Sequence, residues 1–511
     1  MKRPSSTAEA YHRATKYTPE ALNAARHHLD WNRRPPVFKE WRSERAVALA
    51  PHLPWKGTPF GGRGDARGRL APDEPGLAHL SRLLYLTNGA TAVVRGAEDE
   101  HWFRAAPSAG ALYPTEVYLA TRGVSGLSDG IHSYSVRDHA IVPAWEGDFW
   151  KELRRYLFNH ESLDRAGLVA LFTGVWFRSS WRYQDRAYRR ILLDTGHVLG
   201  NLVEAARLLG FRPYTLAGFQ DEALANLMFL DPAEEGPLAA VALPPASALE
   251  GARVRSSAAY PSPPHPPDET AEPGEIMLRL HQVSNMGGES PFSEGLPVEV
   301  ATLEALHAGR PPVPLPGGDA TLDDELPEAV QRRRSTRSYS GAAVEPEALG
   351  ELLGWARRPL AAGAAAGSFP ELCDPGLIET YVAILNVRGV EAGLYYYAPV
   401  AHGLRRLRPG DFRREVWHIC LGQELGRDAA AAIFHVADLP AALLKYGDRA
   451  YRYLHLDAGQ LGQRMNLMAV HLGLGVSGIG GFFDDEVNAL FGLPESRMVA
   501  YITTVGVRGS K

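Results

Sequence analysis

The strongest constraint on how this chain can fold is that it repeats itself. Arg182-Tyr183-Gln184-Asp185-Arg186-Ala187-Tyr188-Arg189 returns as Lys445-Tyr446-Gly447-Asp448-Arg449-Ala450-Tyr451-Arg452, an offset of 446 − 183 = 263 positions. The same offset carries Asp194 and Gly196 onto Asp457 and Gly459, and Gly130, Tyr134 and His139 onto Gly393, Tyr397 and His402. It also carries Glu116 and Tyr118 onto Glu379 and Tyr381, and Gly218-Phe219 onto Gly481-Phe482. One gapless offset over that span is the mark of a tandem duplication. Two copies of one unit on one chain predict packing as an internal pseudo-dimer about a twofold axis, the commonest closed symmetry.

A length of 511 residues also favours two domains over one. Shifts in composition divide the chain into an N-terminal arm (1–75), a first domain (76–250), a Pro-rich linker (251–327) and a second domain (328–511). The linker is clearest at Tyr260-Pro261-Ser262-Pro263-Pro264-His265-Pro266-Pro267. Each domain reads as a helix, a loop, strands such as Val117-Tyr118-Leu119-Ala120 and Tyr395-Tyr396-Tyr397, and a long helix from about Ala450 to Leu472. A closing strand follows at Ala500-Tyr501-Ile502-Thr503-Thr504-Val505. That order predicts an α+β fold, an antiparallel-rich sheet flanked by helices.

Composition excludes several classes. The net charge of −5 argues against bulk binding to nucleic acid or an anionic membrane. Two cysteines, Cys373 and Cys420, make neither a disulfide framework nor a thiolate metal site. His27-His28 lacks ligand spacing with anything nearby, so no metal is expected. The polar start of the chain and the absence of a long apolar run predict a cytoplasmic protein.

Four stretches carry candidate chemistry. Arg333-Arg334-Ser335-Thr336-Arg337 puts three guanidinium forks and a hydroxyl before a helix-like segment at Pro346, a pattern suited to a phosphate, although basic runs are usually solvated surface. Pro107-Ser108-Ala109-Gly110-Ala111 is a small-residue loop against which a flat ring can lie. Ile479-Gly480-Gly481-Phe482 can offer backbone N–H groups, and Arg508 adds a cation near the C-terminus. Gly473-Leu474-Gly475-Val476-Ser477-Gly478 matches a dinucleotide fingerprint but follows a helix instead of a strand. Asp448 and Arg452, at i and i+4, can pair at a helix start.

Together these motifs resemble the flavin-dependent nitroreductase superfamily. Tyr113-Pro114-Thr115-Glu116-Val117-Tyr118 after the Pro-Ser-Ala-Gly loop, with Lys445-Tyr446 and Arg449-x-Tyr451-Arg452, is similar to its branch of azoline dehydrogenases, often called SagB-type. Tyr11-His12-Arg13-Ala14-Thr15-Lys16-Tyr17 is similar to that branch as well. The resemblance implies FMN between two nitroreductase-like domains. Arg333, Arg334, Ser335 and Arg337 would hold its phosphate and ribityl end, Gly480 and Gly481 would lie near the flavin N5, and Pro107, Ser108, Ala109 and Gly110 would complete the site from the other half. It further implies hydride transfer at N5, with a peptide or small-molecule substrate and NAD(P)H as a possible electron source.

The halves differ where the site would be. The offset carries Pro107-Ser108-Ala109-Gly110 onto Pro370-Glu371-Leu372-Cys373, without the small residues, and Gly62-Arg63-Gly64-Asp65-Ala66-Arg67 is a poor match to the arginine cluster. One FMN per chain is therefore expected. In the azoline dehydrogenases a Lys-Tyr pair is implicated in catalysis, which points to Lys445 and Tyr446. Their repeats Arg182 and Tyr183 are the alternative pair for the intact site, but an arginine cannot serve as a general base. A reading of another class also stands: a non-catalytic peptide- or partner-binding module with a vestigial flavin site.

Overall fold

The computed structural model describes residues 6–24, 28–41, 43–61, 70–96, 100–249, 274–287, 300–363 and 372–510. Its architecture is the α+β duplication that the repeat predicts. Each half holds a seven-stranded sheet. Across the first sheet the strands run Val47–Ala48, Ala140–Glu146, Gly130–Ser135, Thr115–Thr121, Leu168–Val175, Glu235–Ala242 and Tyr214–Leu216. The second runs Pro312–Pro314, Gly403–Pro409, Gly393–Ala398, Ile378–Ile384, Ala431–Asp438, Arg497–Gly506 and Gly475–Ile479, in the same order. All neighbouring strands pair antiparallel.

At the centre of the molecule lie the two long helices, Ala187–Leu208 and Ala450–His471, related by the 263-residue offset at both ends. They are buried nearly all round, as helices that face protein on every side must be. They meet at Gly196 and Gly459. A Cβ on Gly196 would stand 2.3 Å from the Leu456 carbonyl oxygen, and one on Gly459 would stand 2.4 Å from that of Leu193. Glycine at both positions lets the backbones touch, so the two repeated glycines mark the pseudo-twofold axis.

The stretch read as a linker contains a helix, Ile276–Val283, whose Met277 and Leu280 are buried. It repeats the N-terminal helix Thr7–Ala14 at an offset of 269. Ala8 N donates to Asp448 Oδ1, and Met277 N donates to Asp185 Oδ1. Arg189 Nη2 donates to the His12 carbonyl, and Arg452 Nη2 to the His281 carbonyl. Tyr17 N donates to Asp484, and Met286 N to Asp221. Each half thus owns an arm. The change from 263 to 269 means six residues were gained or lost between arm and domain, which hides the arm from a gapless comparison.

The arms lie beside two buried charge clusters that join the halves. Asp484 of the second half pairs with Arg186 and Arg189 of the first at 2.9 and 2.6 Å. Asp221 of the first half pairs with Arg449 and Arg452 of the second at 2.7 and 2.6 Å. The expected pairing of Asp448 with Arg452 gives way to these partners: Arg452 reaches across to Asp221, and Asp448 accepts from the arm. The repeated Asp-Arg-Ala-Tyr-Arg is thus a fastening between halves.

One feature lacks a counterpart in the second half among the described residues. The first half's helix Leu77–Asn88 stops at Gly89 and leads into a hairpin, Ala90–Arg95 and Glu100–Arg104. At the corresponding positions the second half continues its helix Pro346–Gly363.

Candidate functional site

A cavity of about 680 Å³ opens between the halves. The first half lines it with Phe103 of the hairpin, the loop Pro107–Ala111, and Arg182, Arg190 and Asp194. The second half contributes Arg333, Arg334, Ser335, Arg337, Gly480 and Tyr501. Eight of the expected cofactor residues, separated by more than two hundred positions, therefore share one space with Gly480. Tyr183 stands at its edge, with its hydroxyl 2.9 Å from where a Cβ on Gly110 would be.

The arginines divide their work. Arg333 is buried, and its Nε and Nη2 donate to the carbonyls of Ala105 and Arg104 at 2.8 and 3.0 Å. Burial brings its pKa down to about 10. These two groups tie the cluster to the end of the first half's hairpin, so Arg333 is a brace between the halves with little left for a phosphate. Arg334 lies over the Phe103 ring at 5.3 Å and gives its Nη1 to Thr91, Gln331 and Arg333 oxygens. Arg337 is exposed, and among the described residues no hydrogen bond or ion pair engages it. The free cation of the cluster is thus its last residue.

The small-residue loop is held from below. Asp194, on the long helix, accepts from Ser108 Oγ at 2.5 Å and from Ala109 N at 3.2 Å. Ser108 Oγ accepts in turn from Tyr113 N at 2.8 Å. Gly110 sits at φ +66, a left-handed conformation that suits glycine. The second half repeats the anchor: Asp457 accepts from Cys373 N and Asp374 N, both at 2.8 Å. Burial raises both aspartates to about 7, against the hydrogen bonds that lower them.

A pH dependence follows. Both native pKa values lie above the usual carboxylate value of 3.8, so between about pH 4 and 7 the folded chain holds protons that the unfolded chain has released. Their contribution to stability is fully present below that window and is lost as pH rises through it. Asp194→Asn with Asp457→Asn, which removes the titrating carboxyls and keeps one acceptor oxygen on each side chain, is expected to flatten this fall. Denaturant midpoints measured from pH 4 to 8 check it.

On the glycine side, a Cβ on Gly480 would lie 2.5 Å from Arg190 Nη1, and one on Gly478 would lie 1.5 Å from the Tyr501 hydroxyl. Gly481 does not line the cavity; its Cβ position faces Leu421 at 3.2 Å and Arg190 at 3.6 Å. Arg508 is exposed outside the cavity lining, and its Nε donates to the Leu474 carbonyl. Lys445 and Tyr446 do not line this cavity either. Both donate to Asp374 Oδ2, at 2.6 and 2.7 Å, in the second half's version of the place. Arg182 is the member of the repeated pair that lines the cavity. Glu371 and the 62–67 stretch, on which the expected difference between the halves partly rested, lie outside the described residues. Among the described residues no group of His, Cys, Asp or Glu is placed to hold a metal.

Several cavity residues escaped the motif search, among them Arg190, Asp194, His197 and Tyr501. Of these, Asp194 carried a signal, because the repeat keeps it as Asp457. Within the long helices Arg190 corresponds to Tyr453 and His197 to Gln460. Only seven of the 22 aligned positions of these helices are identical, so the two differences did not stand out in the sequence. Arg190 stacks on Tyr183 at 4.0 Å, and His197 Nε2 lies 3.3 Å from the Tyr501 hydroxyl, with burial holding its pKa down at about 4.

Comparison with known proteins gives the same picture. The profile of the nitroreductase family matches residues 63–243 and 330–507, once in each half. A crystal structure of a candidate nitroreductase from Anabaena variabilis ATCC 29413 superposes with a TM-score of 0.87 at 40% identity, covering 99% of this chain and 100% of that one. A candidate nitroreductase of Methanocaldococcus jannaschii is 29% identical over 152 residues, 30% of this chain and 73% of that protein. The trifolitoxin-processing protein TfxB of Rhizobium leguminosarum bv. trifolii is 28% identical over 176 residues, 33% of this chain and 47% of its own length. The microcin B17-processing protein McbC of Escherichia coli is 28% identical over 138 residues, 26% of this chain and 50% of its own length. Among the described residues no helix is long and apolar enough to cross a membrane.

Proposed function

Since the chain belongs to the nitroreductase family, matched in both of its halves, we propose that it is an FMN-dependent oxidoreductase with one flavin site, shared between the halves. The observation that carries this reading is the meeting of the small-residue loop and the arginine cluster in one cavity. The residues suit the group. The space falls within the usual range for a bound cofactor. Gly110 and Gly480 leave the walls free of side chains, and Arg337 offers an unspent cation. Arg337, with Ser335 and the free part of Arg334, would hold the phosphate. The loop Pro107–Gly110 and Gly480 would flank the ring.

Bound FMN supplies a centre that takes up or releases a hydride. The chain's own part is to hold and orient. Asp194 keeps the Ser108 loop in place, Arg333 locks the arginine cluster against the first half, and Arg190 lies across Tyr183 at the cavity wall. Arg182 and Tyr183 are the polar pair for the substrate side. The likeness to two toxin-processing proteins supports a substrate of the azoline-peptide class, with NAD(P)H-linked reduction as the other use of the same flavin.

Purified protein is expected to be yellow. Anaerobic mixing with NADH, with NADPH, and with azoline peptides tells which of them exchanges electrons with the flavin. A colourless preparation that takes up no added FMN would leave the non-catalytic binding module as the better reading. Arg337→Ala is expected to weaken FMN binding by about 1.5–3 kcal/mol, the worth of a charge-assisted hydrogen bond. Titrating FMN into the apoprotein measures it, and an unchanged Kd removes Arg337 from the site.

A further inference from the structure

The second half shows what its basic–tyrosine pair does. Lys445 Nζ and Tyr446 Oη converge on one carboxylate oxygen, Asp374 Oδ2. Asp374 is buried, and its own N–H is held by Asp457. In the first half every part of this arrangement recurs except the carboxylate. The helix Trp176–Tyr183 ends in Arg182 and Tyr183 as its counterpart Leu439–Tyr446 ends in Lys445 and Tyr446. Asp194 holds the loop through Ala109 N as Asp457 holds it through Asp374 N.

The loop itself differs. Where the second half presents Asp374, the first has Ala109-Gly110-Ala111. A Cβ on Gly110 would stand 2.9 Å from Tyr183 Oη and 3.4 Å from Arg182 Cδ, so a side chain there would enter the pair directly. No side chain does. Among the described residues no hydrogen bond or ion pair engages Arg182 or Tyr183 Oη, and Arg182 and Gly110 line the cavity. The charges around this place are one-sided: Arg182 and Arg190 face it, and the nearby carboxylate, Asp194, is already engaged by Ser108 and Ala109.

We propose that the cavity admits a substrate bearing a carboxylate, which binds between Arg182 and Tyr183 in the place that Asp374 takes against Lys445 and Tyr446. The guanidinium is a planar fork matched to a carboxylate, and the phenol donates a second hydrogen bond as Tyr446 does. The second half then carries its own permanent occupant, while the first keeps the seat open. The proposal rests on the reading of this cavity as a flavin and substrate site, and names the substrate chemistry of that site. The carboxylate can belong to a small acid or to the free end of a peptide, which present the same group.

The test is calorimetric titration of the flavin-loaded protein with N-benzoylglycine and with its primary amide. The acid is expected to bind at least about tenfold more tightly, the scale of one charge-assisted hydrogen bond. Arg182→Gln combined with Tyr183→Phe is expected to erase that preference. Gly110→Asp, which gives the loop its own carboxylate in a conformation that Asp tolerates, is expected to do the same. A parallel pair, Gly-Gly-Phe and its C-terminal amide, tells a peptide end from a small acid: preference in this pair too marks a seat open to chain ends, and preference in the first pair alone marks a seat for small acids. Equal affinity for acid and amide in both pairs, no acid binding at all, or a preference that survives the double variant overturns the proposal. Flavin content is read from the visible spectrum of each sample. A native protein that holds no flavin refutes the cofactor reading, and a flavin-loaded native protein that shows no acid preference refutes this one alone.

Discussion

Replacing Ser108 by glutamate is expected to abolish flavin binding by the whole chain, although Ser108 lies more than two hundred residues before the arginine cluster. Ser108 Oγ is 2.5 Å from Asp194 Oδ2 and also accepts from Tyr113 N. A carboxylate at this position would be pressed against the Asp194 carboxylate in a buried place, where two like charges cannot both be ionised. The longer side chain would also reach into the cavity that Ser108 lines, where the ring would lie. The same geometry sets the stoichiometry. The loop comes from the first half and the cluster from the second, while at the matching place in the second half Lys445 and Tyr446 close on Asp374. One flavin per chain is expected, and neither half made alone is expected to retain it. Flavin released on denaturation, divided by protein, gives the count. A ratio near two, or a flavin held by the isolated second half, would show that the site is not shared.

Asp484→Ala is expected to destabilise the chain by about 3–5 kcal/mol, the usual result of leaving a buried partner charge alone. Here two charges are left, since Arg186 and Arg189 both lose their carboxylate, and Tyr17 N loses an acceptor. Those arginines hold the Asp484 pKa far below the usual range despite its burial. This fixes the sign of its pH dependence: its contribution is present above about pH 4 and disappears as pH falls below it, opposite to Asp194 and Asp457. Asp221→Ala removes the equivalent partner of Arg449 and Arg452 and is expected to cost a similar amount. The shift of the denaturant midpoint at constant m value measures both. A loss under about 1 kcal/mol would mean that the clusters are solvated well enough to stand unpaired.

Much of this architecture was legible because duplication writes each element twice. The long helix and the antiparallel, helix-flanked sheet of each half were readable from residues that recur at 263, whereas the strand order and the contact at Gly196 and Gly459 come from the fold. The arms were not legible in this way. Thr7–Ala14 and Ile276–Val283 share a register of 269 and few identical residues, and the match shows only when His12 and His281, or Tyr17 and Met286, are seen giving the same backbone atoms to the same partners. The site was partly legible. The loop and the cluster contain residue types whose chemistry is plain from their order. Arg333 lines the cavity as expected, but one sequence letter does not tell that two of its nitrogens are held by carbonyls across a domain boundary. Asp194 was visible as a repeat, but only the fold shows that it stands under the Ser108 loop. The lysine–tyrosine pair was attractive on residue type, and only the geometry shows that its hydrogen bonds are already taken.

The arms give the chain an unusual relation to its own covalent continuity. Each arm lies against both long-helix segments, and each Asp–Arg cluster takes its acid from one half and its bases from the other. A single cut between Leu249 and Gly274 would release two fragments, each with one arm, one sheet and one half of both fastenings. Neither fragment could leave without exposing buried charges and peeling away a helix, so the cut protein would persist as a clasped pair. The peptide bond between the halves thus sets the ratio in which they are made and where they first meet. The grip between them is that of two hands with fingers interlaced.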